Sequence, residues 1–285
     1  MRPVTEEELR NPTFITLPRL VRDTVVRLFR DPVGILIGSA FVLLMLWGTH
    51  GNLELLGLAW QGWEGPGSDP AGRATILPGI PWDQEWVSFW AGVVLVVGIP
   101  ALIIKFGFGE KVSDYGLGLP APGRRKLAAM SALALFGVSL PFFFAAAQNP
   151  GMQDLYPFFK GFESDGDFFV YELGYLGFFI AIEFIFRGYL LFGLYGLKDR
   201  VAPAGVVGER GPLVFGYYAI LISMLSYTAW HLGKPVPELW GTLVWGILAG
   251  TVALATRTIW PLILVHWLLN VFMDLAIYKD WDWPV

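Results

Sequence analysis

Long apolar runs separated by short polar connectors dominate the chain. Seven stand out, at about 33–49, 86–104, 127–147, 168–197, 213–231, 239–256 and 258–277. A helix needs about 20 mostly apolar residues to cross the hydrocarbon of a bilayer, so each run reads as a membrane span. No run alternates with the period-two pattern of a membrane strand, and a barrel is not predicted. The first run starts too far into the chain, and lacks a small-residue cleavage site, to read as a removed signal peptide. The pattern therefore predicts an all-α, polytopic transmembrane bundle of about seven spans. It divides into a basic segment over 1–32, three spans and their loops over 33–167, a four-span core over 168–277 and a short tail over 278–285.

Composition sharpens this picture. Only 15% of the 285 residues are charged, 55% are hydrophobic, and the chain holds 13 Trp and 22 Phe. An ordinary soluble domain is about a quarter charged. The slightly acidic balance, net −4, argues against a nucleic-acid partner. With no Cys there is no disulfide framework, no thiolate catalysis and no cysteine to carry a lipid.

Charge also predicts orientation. Arg2, Arg10, Arg19, Arg22, Arg27 and Arg30 precede the first span, and Lys105, Lys111, Arg124, Arg125 and Lys126 fill the second loop. Lys198, Arg200 and Arg210 follow the fourth span, and Arg257 the sixth. The opposite loops hold only Arg73, Lys160, Lys234 and Lys279, among many acidic residues. The positive-inside rule then puts the N-terminus in the cytoplasm and the C-terminus outside a cell membrane. Residues 17–28 set Leu17, Leu20, Val21, Val25 and Leu28 opposite Arg19, Arg22, Arg27 and Arg30. This suits either a helix on the anionic cytoplasmic leaflet or a basic tail without fixed position. Trp82, Trp86, Trp90, Trp281 and Trp283 are placed for an outer interfacial belt, and the Gly- and Pro-rich loop 51–85 for packing on the outer face. His50 reads as interfacial. The Gly34/Gly38 and Gly246/Gly250 pairs predict close helix approach within the bundle.

Ionisable side chains inside a span cost a few kcal/mol or more each, and normally face a cavity or one another. They concentrate in three places: Glu172 and Glu183-Phe184-Ile185-Phe186-Arg187-Gly188 in the fourth span, Tyr227 to His231 at the end of the fifth, and His266, Asn270 and Asp274 in the seventh. Glu183 and Arg187 are one turn apart and can pair, and His266 and Asn270 share a face in the same way. Each element alone also fits a packing role, as an ion pair that locks the bundle or a hydrogen-bond clasp. Asp274, near the outer end, reads as solvated. The case for chemistry is that so many costly groups coincide in one apolar chain.

The three motifs resemble those of the CAAX protease and bacteriocin-processing family, glutamic intramembrane proteases related to the type II prenyl endopeptidase. The family's Glu-Glu-x-x-x-Arg motif corresponds to Ile182–Arg187, its aromatic-x-x-x-His motif to Tyr227–His231, and its His-x-x-x-Asn motif to His266–Asn270. The resemblance covers about 168–274. It implies that Glu183, assisted by His231, activates water, that His266 and Asn270 stabilise the oxyanion, and that Arg187 orients the carboxylate. One departure stands out: the family's first Glu is Ile182 here. Three readings follow. Glu183 takes over after a modest helix rotation, Glu172 supplies the carboxylate, or the protein is catalytically silent. Glu172 lies 11 residues before Glu183, on the same stripe but about 16 Å away along the axis. Nominal depth puts His231 nearer Glu172, and a deeper fifth span is favoured to bring it level with Glu183.

The resemblance implies an endopeptidase acting near the C-terminus of a membrane-anchored or lipidated protein or peptide. Members are often described as metalloproteases, yet the two His lie on different helices without the HExxH spacing. No cofactor is expected, and zinc is disfavoured. The alternatives are a silent membrane scaffold or immunity protein and, less attractively without inverted repeats, a transporter.

Overall fold

The structure is a computed structural model, and it describes residues 17–48, 83–200, 215–216 and 218–281. Most of the 51–85 loop, His50, Trp82 and Trp283 lie outside the described residues. Nine helices order the described chain: α1 (Leu17–Leu28), α2 (Pro32–Trp47), α3 (residues 83–107), α4 (Arg125–Ala147), α5 (Pro150–Leu155), α6 (residues 165–200), α7 (Tyr218–Trp230), α8 (Val236–Thr256) and α9 (Trp260–Tyr278). Among the described residues there is no strand. The chain is a helical membrane bundle. Five helices are long and apolar enough to cross a bilayer, at Glu85–Gly107, Pro122–Ala147, Asp165–Gly196, Val236–Thr256 and Trp260–Tyr278. The predicted first and fifth spans correspond to the shorter apolar helices Pro32–Trp47 and Tyr218–Trp230.

Local chemistry sets the helix ends. Asp31 caps α2 by accepting from the Val33 N–H, with Pro32 in the first turn. Asn149 caps α5 in the same manner. Ser164 caps α6, and Asp165 and Asp167 place negative charge beside its N-terminal dipole. After Trp230 the chain reverses within five residues. Gly233 takes φ +94° there, in the left-handed region open to glycine, and Pro235 and Pro237 open α8.

α6 is the axis of the bundle. In its most apolar window 72% of residues are buried, against 17% for the helix at Pro122–Ala147, so one is core and the other faces lipid. α3 packs along α6, α7 along α8, and α9 along α4 and α6. Trp47, Phe89, Tyr175, Phe178 and Trp230 interlock around α6 at ring-centroid distances of 4.7–6.1 Å. The Gly246/Gly250 expectation holds for α8: added Cβ atoms would lie 2.5 Å from the Met224 side chain and 3.0 Å from Ile220, both on α7. Gly38 instead faces open space. Trp86 is not simply an interfacial anchor, because its indole donates to the Tyr171 carbonyl inside the bundle at 3.3 Å.

Two stretches of α6 differ in pitch. Asp165–Glu183 is α-helical, and Phe184–Phe192 opens into wider π-type turns. Widened turns leave carbonyls poorly paired and recur at functional sites. The Ser223 hydroxyl of α7 donates to the Phe186 carbonyl at 2.8 Å, which anchors the wide turn to its neighbour.

Candidate active site

Glu183 ends the α-helical part of α6 and is completely buried. Its Oε1 accepts from the Trp245 indole at 3.1 Å and contacts His266 Nδ1 at 2.7 Å. Arg187 Nη1 lies 3.5 Å from the same oxygen. The guanidinium stacks 4.1 Å from the Tyr227 ring centre, a cation–π contact that strengthens away from water. Carboxylate, guanidinium and imidazole thus meet in a dry interior, where each charge depends on the others.

His266 is held between aromatic rings, 4.8 Å from Phe179 and 4.9 Å from Trp245. Asn270, one turn later, donates from Nδ2 to the His266 carbonyl at 3.0 Å. His231 sits just past α7, with Nδ1 2.7 Å from the Tyr227 carbonyl and its ring 4.3 Å from the Tyr227 ring. A carbonyl only accepts, so Nδ1 carries the proton and Nε2 presents its lone pair when the ring is neutral.

Between α4, α6, α7, α8 and α9 lies a cavity of about 120 Å³. His231, His266 and Asn270 all line it, although they come from two separate helical segments. It lies toward the end of the bundle where α4 finishes and α8 begins, with Phe142, Phe143, Phe178 and Phe179 as apolar walls.

The carboxylates are placed differently from expectation. Ile182 lines the cavity; Glu183 does not. Adjacent helical positions differ by about 100°, and the three partners of Glu183 hold it on the far side, so no rotation toward the cavity is present. Glu172 does not approach His231 either. It is buried against Asp274, while its backbone carbonyl accepts from the Trp267 indole at 2.8 Å. Asp274, expected to be solvated, is fully buried beside Glu172. The reason is its place on α9: it continues the His266/Asn270 stripe, and that stripe faces the bundle throughout.

The group that sequence reasoning missed is Glu238, in the first turn of α8. Its Oε1 lies 3.4 Å from His231 Nε2, accepts from Lys234 at 2.8 Å, and accepts from the Tyr156 hydroxyl at 2.9 Å. Burial, and then the Glu238 carboxylate itself, push the Tyr156 phenol well above its usual range, so it stays a donor. A signal for Glu238 was present. Only a short Gly- and Pro-containing connector separates His231 from it, and residues flanking a tight helical hairpin are neighbours in space. Thr228 and Thr242 close the same hairpin with a hydroxyl contact of 2.9 Å.

Among the described residues no three His, Asp or Glu side chains converge as a metal's ligands would. Glu183 and His266 contact each other, and His231 contacts Tyr227 and Glu238.

The spans of this helical bundle thus line a cavity that carries two histidines and an asparagine among apolar walls. Residues 166–272 match the family model described as Type II CAAX prenyl endopeptidase Rce1-like. That family is a protease family, and its model spans all three polar motifs up to Asn270. No curated protein and no solved structure matches the chain.

Proposed function

We propose that this protein is an intramembrane endopeptidase that hydrolyses a peptide bond near the C-terminus of a membrane-anchored or lipidated substrate. The observation that carries the reading is the convergence of His231, His266 and Asn270 on one cavity inside the bundle. The Rce1-like match over the same helices supports it. The scissile carbonyl enters between the Phe142/Phe143 and Phe178/Phe179 walls, which favour an apolar chain. His266 and the free amide proton of Asn270 donate to the developing oxyanion, the interaction that contributes most to acyl-transfer catalysis. Glu183 acts through His266. It holds Nδ1 and fixes the ring's direction, facing the charge of a ring that donates from both nitrogens, while Arg187 lies against the same carboxylate oxygen. His231 faces the attacking water from the opposite wall.

In this reading His266 and Asn270 act as hydrogen-bond donors and His231 as an acceptor, and no metal takes part. By the distribution of Lys and Arg, the cavity end of the bundle is the outer one. An exported or anchored substrate therefore fits better than a cytoplasmic one.

The test is cleavage by the full-length chain, purified in mild detergent, of internally quenched apolar peptides with and without a farnesyl-cysteine near the C-terminus. Wild type cleaves at least one of them. His231→Ala and His266→Ala each lower kcat/KM by about 10²–10³-fold at unchanged folded yield. Incorporation of one ¹⁸O from labelled water into the new C-terminus identifies hydrolysis. Wild type that cleaves no peptide, or variants that cleave as well as wild type, overturn the proposal.

A further inference from the structure

The proposed peptidase needs a proton acceptor beside its water, and Glu183, sealed behind His266 and Trp245, does not reach the cavity. Among the described residues that line it, Glu238 is the one carboxylate. We propose that Glu238, paired with His231, is the catalytic base of this site, supplied from the first turn of α8 rather than from α6. The inference deepens the peptidase reading and rests on it.

Three features of the geometry carry it. The two oxygens of Glu238 are in different situations. Oε1 is fixed by Lys234 and Tyr156, whereas Oε2 is buried without a hydrogen-bond partner. A buried carboxylate oxygen left unpaired is costly, and a water in the adjoining cavity would satisfy it. Next, His231 Nε2 and Glu238 Oε1 face each other at 3.4 Å while Nδ1 is committed to the Tyr227 carbonyl. With the ring neutral, both facing atoms are acceptors, and a proton donor is needed between or beside them. A water that donates one hydrogen to each group meets that need, and its oxygen lone pair is then free to attack. Finally, Lys234 is held over the Tyr156, Phe158 and Trp230 rings at 5.5–6.0 Å and is itself almost wholly buried. The ammonium therefore stays against Glu238 Oε1 and holds the carboxylate in place instead of leaving for solvent.

The step balances without another reactant. As the water oxygen bonds to the carbonyl carbon, one of its protons passes to the Glu238 carboxylate, and the carbonyl electrons move to the oxyanion facing His266 and Asn270. When the intermediate collapses, the carbon–nitrogen bond breaks and Glu238 returns that proton to the departing nitrogen. The products are a carboxylic acid and an amine, which exchange a proton in water.

The experiment uses the same full-length enzyme and the quenched peptide that wild type cleaves. Glu238→Gln keeps the shape and an acceptor for Lys234 and Tyr156 but cannot take a proton. Its kcat falls by about 10²–10⁴-fold with KM within about threefold of wild type. Lys234→Met combined with Glu238→Gln separates catalysis from ion pairing. If Glu238 served only to neutralise Lys234, the double variant would regain wild-type turnover; as the base, it leaves the double variant as inactive as Glu238→Gln alone. Should Glu238→Gln fail to accumulate, Glu238→Asp keeps the charge one methylene further from the water, and a folded enzyme with clearly lowered kcat supports the assignment. Wild-type kcat in either single variant, or recovery in the double variant, overturns the role of Glu238 and leaves the peptidase reading standing if His231→Ala and His266→Ala are inactive. A wild-type chain that cleaves nothing overturns both.

Discussion

Glu183 and Glu238 are both carboxylates held beside a histidine and a cation, yet they occupy opposite situations. Glu183 is completely buried, shares one oxygen among Trp245, His266 and Arg187, and has no face on the cavity. Glu238 is partly exposed, fixed through one oxygen, and lines the cavity. The difference separates two tasks that a motif alone merges. A charge fully enclosed by partners can orient and stabilise; a carboxylate with one unpaired oxygen on a residue that lines the cavity can exchange a proton.

The largest effect is expected where the enclosed cluster is broken from one side. Arg187→Met removes the cation and leaves Glu183 buried with only His266 and Trp245 beside it, at a cost of up to about 3–5 kcal/mol. The readout is loss of folded, monodisperse protein in mild detergent. Replacing both members of the pair, Glu183→Leu with Arg187→Met, recovers most of that folded protein, because apolar groups of similar size often substitute for a buried ion pair without loss. Cleavage does not return, because His266 has lost the oxygen that directs it. Recovery of activity in the double variant would show that the enclosed pair serves folding alone.

An intermediate effect tests the helix spacing that sets His231 against Glu238. Gly246→Ala places a methyl group 2.5 Å from the Met224 side chain and 3.1 Å from its Cα. The α7–α8 contact must open, costing about 1–3 kcal/mol. Cleavage falls in step with the widened hairpin. A variant with wild-type unfolding and wild-type cleavage would mean that the close approach is not what positions the pair.

The smallest effect belongs to the third carboxylate. Glu172 is buried beside Asp274 and does not line the cavity. Glu172→Gln keeps the side chain's shape and leaves the cavity lining untouched. Folded yield and kcat stay at wild-type values. A large loss of kcat would move the proton acceptor from Glu238 to Glu172 and break the comparison on which the site is built.

Much of this was legible in order along the chain. Apolar runs located the seven apolar helices found among the described residues, because hydrocarbon solvation acts on each segment separately. The i,i+4 spacing of Glu183 and Arg187 anticipated their ion pair, and the Gly246/Gly250 spacing anticipated the α7–α8 contact. The same local reasoning misplaced Asp274 and passed over Glu238. Depth along a span gives distance from the membrane edge but not direction around the helix. Asp274 therefore looked solvated near its end of α9, although it faces Glu172.

The sequence by itself determined that this chain is a helical membrane protein with a few costly polar side chains in three motifs, because period, length and charge are properties of one segment at a time. Only the tertiary structure decided which of those groups share a cavity. That depends on how helices rotate against one another, and on a hairpin that carries Glu238 back to His231. Rotation and hairpin closure are set by packing among residues far apart in the chain, so no single segment encodes them.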